Sequence, residues 1–301
     1  MRRGRGAARV CGSIAVTIAG STVLAQDAAT AAASNLVVRA PDVVVVERKV
    51  REEAPVGPYD QPEWTTRRRF PTTRVYLQDQ PWQVEFEQWW RGRFYRDDSS
   101  EHLFQEEITM GLPHRLQVDL YENWARTDDG TYQHDSLAAE LRYAFADWRR
   151  IPLNPTVYAE WKFVDGGPDV YELKLLLGEE LAPRWHWGFN AVYEQEVGGE
   201  RATEFAASQA FSYTVIDQKL GVGIEMKYVN ETEEGSRGSP EEQFLLGPSV
   251  QWRPSHRFHV DAVPLFNLAD DGPRVECFIV AGWDFGTIVK PAAAPRSLQS
   301  E

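Results

Sequence analysis

From Trp82 to Gly286 the chain alternates apolar and polar side chains with a period of two, in about twelve runs of roughly ten residues each. Trp185, Trp187, Phe189, Ala191 and Tyr193 share one face of a run whose other face carries His186, Gly188, Asn190, Val192 and Glu194. Leu220, Val222, Ile224, Met226 and Tyr228 alternate in the same way with Lys219, Gly221, Gly223, Glu225 and Lys227. Val275, Cys277, Ile279, Ala281, Trp283 and Phe285 hold one face of the last run. About ten residues is what a tilted strand needs to cross a bilayer. A strand apolar on one face and charged on the other needs lipid or a protein core against the first and water against the second. Around a closed sheet this predicts a transmembrane barrel with a wet interior.

Strands are predicted at 82–91, 101–111, 115–125, 135–147, 155–164, 170–181, 185–197, 201–215, 218–230, 241–252, 257–267 and 274–286. Their connections sort by length, which is an independent test. Those after even strands are short (112–114, 182–184, 216–217, 253–256), with 148–154 as the exception. Those after odd strands are on the whole longer and rich in Gly, Asp and Glu, as at 126–134 and 230–240. Bacterial barrels alternate short periplasmic turns with long outer loops, and an even strand number puts both termini in the periplasm. A soluble barrel has no reason to sort its loops this way.

The amino terminus adds the compartment. Arg2, Arg3, Arg5 and Arg9 precede an apolar stretch at 10–24, and Val23 with Ala25 forms a small-residue cleavage pattern. Residues 1–25 are read as a secretory signal, 26–80 as an extended periplasmic segment, 81–286 as the barrel and 287–301 as a tail. Within 26–80, Asp42 to Arg48 loosely resembles the β-forming box by which large active transporters engage an energy-coupling partner. The cysteines, Cys11 and Cys277, leave no internal disulfide after leader removal.

Composition fits without proving anything. The chain has 32 basic and 45 acidic residues, and loss of the four leader arginines increases the acidic excess. Such a chain is a poor nucleic-acid binder. Its 11 Trp, 11 Tyr and 14 Phe suit the aromatic belts of a membrane interface.

The segment Gly111-Leu112-Pro113-His114-Arg115-Leu116-Gln117, followed by Glu140-Leu141-Arg142-Tyr143-Ala144-Phe145-Ala146-Asp147, resembles a hairpin of bacterial outer-membrane barrels. These form a transporter-like group associated by name with meta-cleavage phenol degradation. The resemblance covers roughly 82–286, implies the barrel and suggests transport. It departs at the end, because Phe285 is followed by a tail rather than closing the chain.

Chemistry is expected on the inward face. By parity that face carries Glu85, Glu87, Glu107, Asp119, Glu140, Glu160, Glu172, Glu194, Glu196, Glu204, Glu225, Asp261 and Glu276. Arg142, Lys162, Lys174 and Lys227 each follow a glutamate by two places, so the partners share a face. Arg91 and Arg274 fall towards the rims, and Glu106 falls on the lipid side, read as a local bulge or an error of strand placement. Gly223 and Gly282, facing inward, are expected to tolerate a side chain better than the lipid face does. Arg67, Arg68, Arg69 and Arg74 precede this acidic set and form a candidate plug, with Glu85, Glu140 and Glu276 as expected partners.

His134, Asp135 and Ser136 resemble a hydrolytic set in composition only, and His186, Glu194 and His259 a metal set only by residue type. No enzyme, cofactor or metal is expected. The expected function is a passive channel or small-solute transporter with an acidic, cation-favouring lumen. The alternatives are a non-transporting structural or surface-interaction barrel and, less favoured, an outer-membrane hydrolase. Expected partners are outer-membrane lipid, the barrel-assembly machinery and an unidentified small solute.

Overall fold

The computed structural model describes residues 50–126 and 130–286. The leader at 1–25, the box at 42–48 and the tail at 287–301 lie outside the described residues. Two short strands, β1 (Pro55–Val56) and β2 (Gln61–Pro62), form a small ladder. Twelve long strands follow: β3 (Val84–Phe94), β4 (Ser100–Leu112), β5 (Leu116–Arg126), β6 (Tyr132–Ala144), β7 (Thr156–Val164), β8 (Val170–Ala182), β9 (Trp185–Glu196), β10 (Thr203–Ile216), β11 (Leu220–Thr232), β12 (Glu241–Ser255), β13 (Phe258–Asn267) and β14 (Val275–Asp284). Each pairs antiparallel with its sequence neighbours, and β14 pairs with β3 to close a twelve-stranded barrel. Closure satisfies every edge, as a bilayer requires.

The alternation reads out as expected. Ile108, Leu120, Leu141, Leu173, Leu175, Val222, Ile224 and Ile279 are exposed on the outer wall. Aromatic rings bound this band. At the long-loop end Trp161, Tyr171, Tyr193 and Phe205 touch in series across four strands, and at the other end Trp185 meets Tyr213 and Phe258 meets Trp283. A soluble protein would cover such a belt; a membrane barrel needs it. An arginine at Ile224 or Leu175 is expected to cost about 2–4 kcal/mol of folding stability in lipid. Arginine at the inward Val192 should cost clearly less, and equal penalties in urea titrations of lipid-folded protein would refute the facing of the wall. Gly223 and Gly282 do not serve as inward controls. A Cβ on Gly282 would meet the His259 ring, and one on Gly223 the carbonyl of Phe211 and Oγ of Ser249.

Glu106 is a second correction. The β4 ladders run without a register shift, so there is no bulge and no misplaced strand. Glu106 stands outward between Gln88 on β3 and Glu122 on β5, a polar row one outward position from Trp90, Phe104 and Trp124. The β12–β13 ladder is broken between the Leu246–Phe266 and Val250–Ala262 pairs, where Pro248 and Pro264 bring no N–H.

Residues 50–80, expected as an extended periplasmic segment, lie inside the barrel at its short-turn end. Trp64, Phe70, Tyr76 and Leu77 are buried there with Ala144, Trp148 and Ala210 of the wall and its turn. This explains the one long connection at that end, 145–155. Trp148 donates its N–H to the carbonyl of Tyr59 at 2.9 Å and packs edge-on against Trp64 and Tyr76. Apolar burial, absent from the period-two pattern, holds the segment in place.

Candidate functional site

Where the inserted segment passes close to the wall, the wall has glycine. Gly178 and Gly188 pair across β8 and β9, and Val75 sits where their Cβ atoms would be. Gly221 on β11 leaves room for the Arg69 guanidinium. These are inward glycines inside strands, which weaken a sheet unless another chain approaches there.

The four arginines of the segment then reach different carboxylates from those expected. Arg67 bonds Asp284 at 2.6 Å. Arg68 bonds Glu87, lies 3.6 Å from Glu107 and stacks on the Trp89 ring at 4.1 Å. Arg69 donates to Ser212, Gln251 and Thr214 at 2.8–3.0 Å, and lies 3.4 Å from Glu52 of its own segment. Arg74 bonds Glu107 at 3.0 Å. Glu85, Glu140 and Glu276, the expected partners, do not pair with these arginines: Glu85 bonds His259 at 2.7 Å and accepts the Gln78 amide of the segment at 2.6 Å, Glu140 bonds Arg142, and Glu276 bonds Arg93 at 3.0 Å. Arg142 also bonds Asp119 at 2.6 Å. Thr72 donates both its N–H and its hydroxyl to Glu225.

The parity set thus divides in two. Glu85, Glu87, Glu107, Asp119, Glu140, Arg142, Glu225 and Asp261 are buried to 2% exposure or less. They do not solvate a water-filled interior, because the inserted segment replaces the water: it supplies counter-charges to Glu87 and Glu107, while Arg142 and His259 of the wall answer Asp119, Glu140, Glu85 and Asp261. Glu160, Lys162, Glu172, Lys174, Glu194, Glu204 and Lys227 line a cavity of about 600 Å³ at the long-loop end. There Lys162 approaches Glu160 and Glu194 at 3.9 and 3.8 Å, and Lys174 bonds Glu172 at 2.6 Å. Glu196 sits at the outer rim, accepting the N–H of Ala202, and Arg274 is exposed in the last outer loop.

The cavity is nearly balanced in charge. Arg74, Arg91, Arg93, Arg126, Lys162, Lys174 and Lys227 face Glu101, Asp135, Glu160, Glu172, Glu194, Glu204 and Glu231. The acidic surplus lies beneath them, under the inserted segment. One side of the interior is also dry: Leu245, Val263, Leu265 and Phe278 of β12–β14 cluster against Trp89.

The hydrolytic look-alike does not assemble. His134 pairs with Asp165 at 2.8 Å, while Ser136 is buried between Asn123 and Asp135, and all three lie on β6 rather than in an outer loop. His186, Glu194 and His259 have separate partners: Arg69 at 3.0 Å, Lys162, and the pair Glu85 and Asp261. Sequence reasoning missed Asp284, Gln251, Ser212 and Thr214 as partners of the arginines. Asp284 lies eight residues after Glu276 on the same face of the last strand, so extending the parity rule to that residue would have found it.

Fold and lumen together define an outer-membrane-type β-barrel whose short-turn half is filled by its own amino-terminal segment. Residues 171–275, from β8 to the first residue of β14, match a family described as "Putative MetA-pathway of phenol degradation", the same group that the 111–117 hairpin resembles. No curated protein matches the chain. Among solved structures, an outer membrane channel from Pseudomonas putida F1 is similar over 68% of this chain and 96% of its own, at 11% identity and a TM-score of 0.49. The KdgM porin (67% and 99%, 8% identity, TM-score 0.47) and the NanC porin (69% and 100%, 8% identity, TM-score 0.47) are similar as well.

Proposed function

We propose that this barrel is a passive outer-membrane channel for small solutes, held nearly closed by its amino-terminal segment and cation-favouring once that segment withdraws. The observation that supports it is the pair of compartments along one axis. A polar cavity of about 600 Å³ lies at the long-loop end, and a plug held by polar and ionic bonds as well as apolar burial lies beneath it. The apolar anchors Trp64, Phe70, Tyr76 and Leu77 resist release of the plug, and its ion pairs to the wall resist it less. Ionic contacts exchange for water at far smaller cost when a segment leaves.

In the resting state the cavity sets selectivity, and its near balance of charge gives little preference. Glu172→Gln with Glu194→Gln removes two of its acids and is expected to shift the reversal potential in a salt gradient towards anions. No shift would detach the cavity from the conduction path. Barrels that insert into planar bilayers but carry no current, with or without the plug, would support the structural reading instead. For assembly, we propose that the machinery reads the alternating strand from Val275 to Phe285 although it is not terminal. Phe285 is exposed and donates its N–H to Val84 at 2.9 Å at the closing seam.

A further inference from the structure

Three groups of buried carboxylates in the lumen bring ligand atoms within 4.8 Å of one another: Glu107 with Asp119 and Glu140; Glu85 and Glu87 with His259; and Asp79 with Glu85 and Asp284. The first is answered by Arg68, Arg74 and Arg142. The second contains its own base in His259 and receives Arg68 on Glu87. The third differs. Asp79 is 1% exposed and neither of its oxygens has a hydrogen-bond partner. Asp284 receives Arg67 on Oδ2, but its Oδ1 is also buried without a partner. A buried carboxylate is paired, protonated or bound to a metal. Here one guanidinium on Asp284, and one imidazole and the Gln78 amide on Glu85, face three carboxylates, and none of the three groups reaches Asp79.

We propose that Asp79, Glu85 and Asp284 hold a calcium ion that ties the plug to the closing seam of the barrel. The donors are all hard oxygens, which select calcium or magnesium over softer transition metals. Their spacing suits an ion with oxygens at about 2.3–2.6 Å. Magnesium keeps several waters when it binds, and these three side chains are buried to 1% exposure or less. Gln80 and Gln83, on the same stretch as Asp79, also carry buried amide oxygens without partners. The three carboxylates come from the plug, the first barrel strand and the last, so one ion ties the plug to both strands of the closing seam, where Glu85 and Asp284 are ladder partners. The site is structural, and its presence does not depend on whether the barrel conducts.

The test is metal analysis of the full chain folded in detergent with calcium and then dialysed free of loosely held ions. The wild type is expected to retain one calcium more than Asp79→Asn, and Glu234→Gln, in an outer loop, is expected to retain as many as the wild type. Calcium should raise the unfolding temperature of the wild type above its value in chelator, magnesium should do so much less, and Asp79→Asn should lose the difference. Equal calcium content in wild type and Asp79→Asn overturns the proposal, because shared protons then account for the cluster. If Asp79→Asn does not fold, the wild type decides alone: no retained calcium and one unfolding temperature in calcium, magnesium and chelator would overturn it equally.

Discussion

Deleting residues 50–76 is expected to turn a nearly closed barrel into an open one, raising single-channel conductance by about an order of magnitude or more. The deletion removes Arg67, Arg68, Arg69 and Arg74 together with the apolar anchors Trp64, Phe70 and Tyr76, and leaves the wall's own pairs intact. Glu87, Glu107 and Asp284 then face water without their counter-charges, and Glu225 without the Thr72 donors. The open pore should therefore prefer cations. That preference should fade as the Debye length falls from about 10 Å at 0.1 M salt to about 3 Å at 1 M. Changing Arg67, Arg68 and Arg69 to Gln should move both readings the same way but less far, since the aromatic anchors remain. Planar-bilayer recording in a salt gradient measures both, and unchanged conductance in the deletion variant would remove the plug from the account.

The largest expected loss of stability comes from Arg142→Leu. Its guanidinium joins Asp119 and Glu140, all three side chains being 1% exposed or less. Removing it strands two carboxylates, and breaking a buried pair of this kind costs about 3–5 kcal/mol. The compensated variant, Arg142→Leu with Asp119→Asn and Glu140→Gln, should recover most of that, because a buried ion network replaced as a whole is close to neutral. Urea unfolding in lipid vesicles, followed by tryptophan fluorescence, gives the comparison. A compensated variant as unstable as the single one would show that packing, not charge, is at stake.

The wall was legible in the sequence because a barrel strand repeats one physical demand every two residues. Lipid outside and polar contents inside leave that alternation in every strand, and loop length adds the sidedness. Boundaries shifted by two or three residues at several strand ends, and two of the shifts have a visible cause: the backbone N–H of Trp82 donates to the carbonyl of Gly111 at 2.7 Å on leaving the plug, and Phe145 to Asp147 belong to the loop that carries Trp148. The plug was legible only as a charge complement. Its backbone follows no period, so nothing local announces Trp64 or Tyr76 as buried. The signal that existed lay in the wall, in Gly178, Gly188 and Gly221 on the inward face, where only a second chain passing close explains a missing side chain. The parity rule found the acidic set but assigned it to water, because a pattern of facing says nothing about what fills the space it faces.

The outward row Gln88, Glu106 and Glu122 fixes how the barrel sits in its membrane. From Phe104 to Leu112 the outer wall of β4 climbs about 26 Å along the strand, at about 3.3 Å per residue, but only the stretch from Ile108 onward, about half of that, is unbroken apolar surface. On the opposite wall β9 stays apolar or aromatic from Trp185 to Tyr193. The hydrophobic thickness is therefore unequal around the circumference. Lipid must thin beside β3–β5, or the barrel must lean until the polar row meets headgroups, and either response gives this cylinder a preferred side among its neighbours.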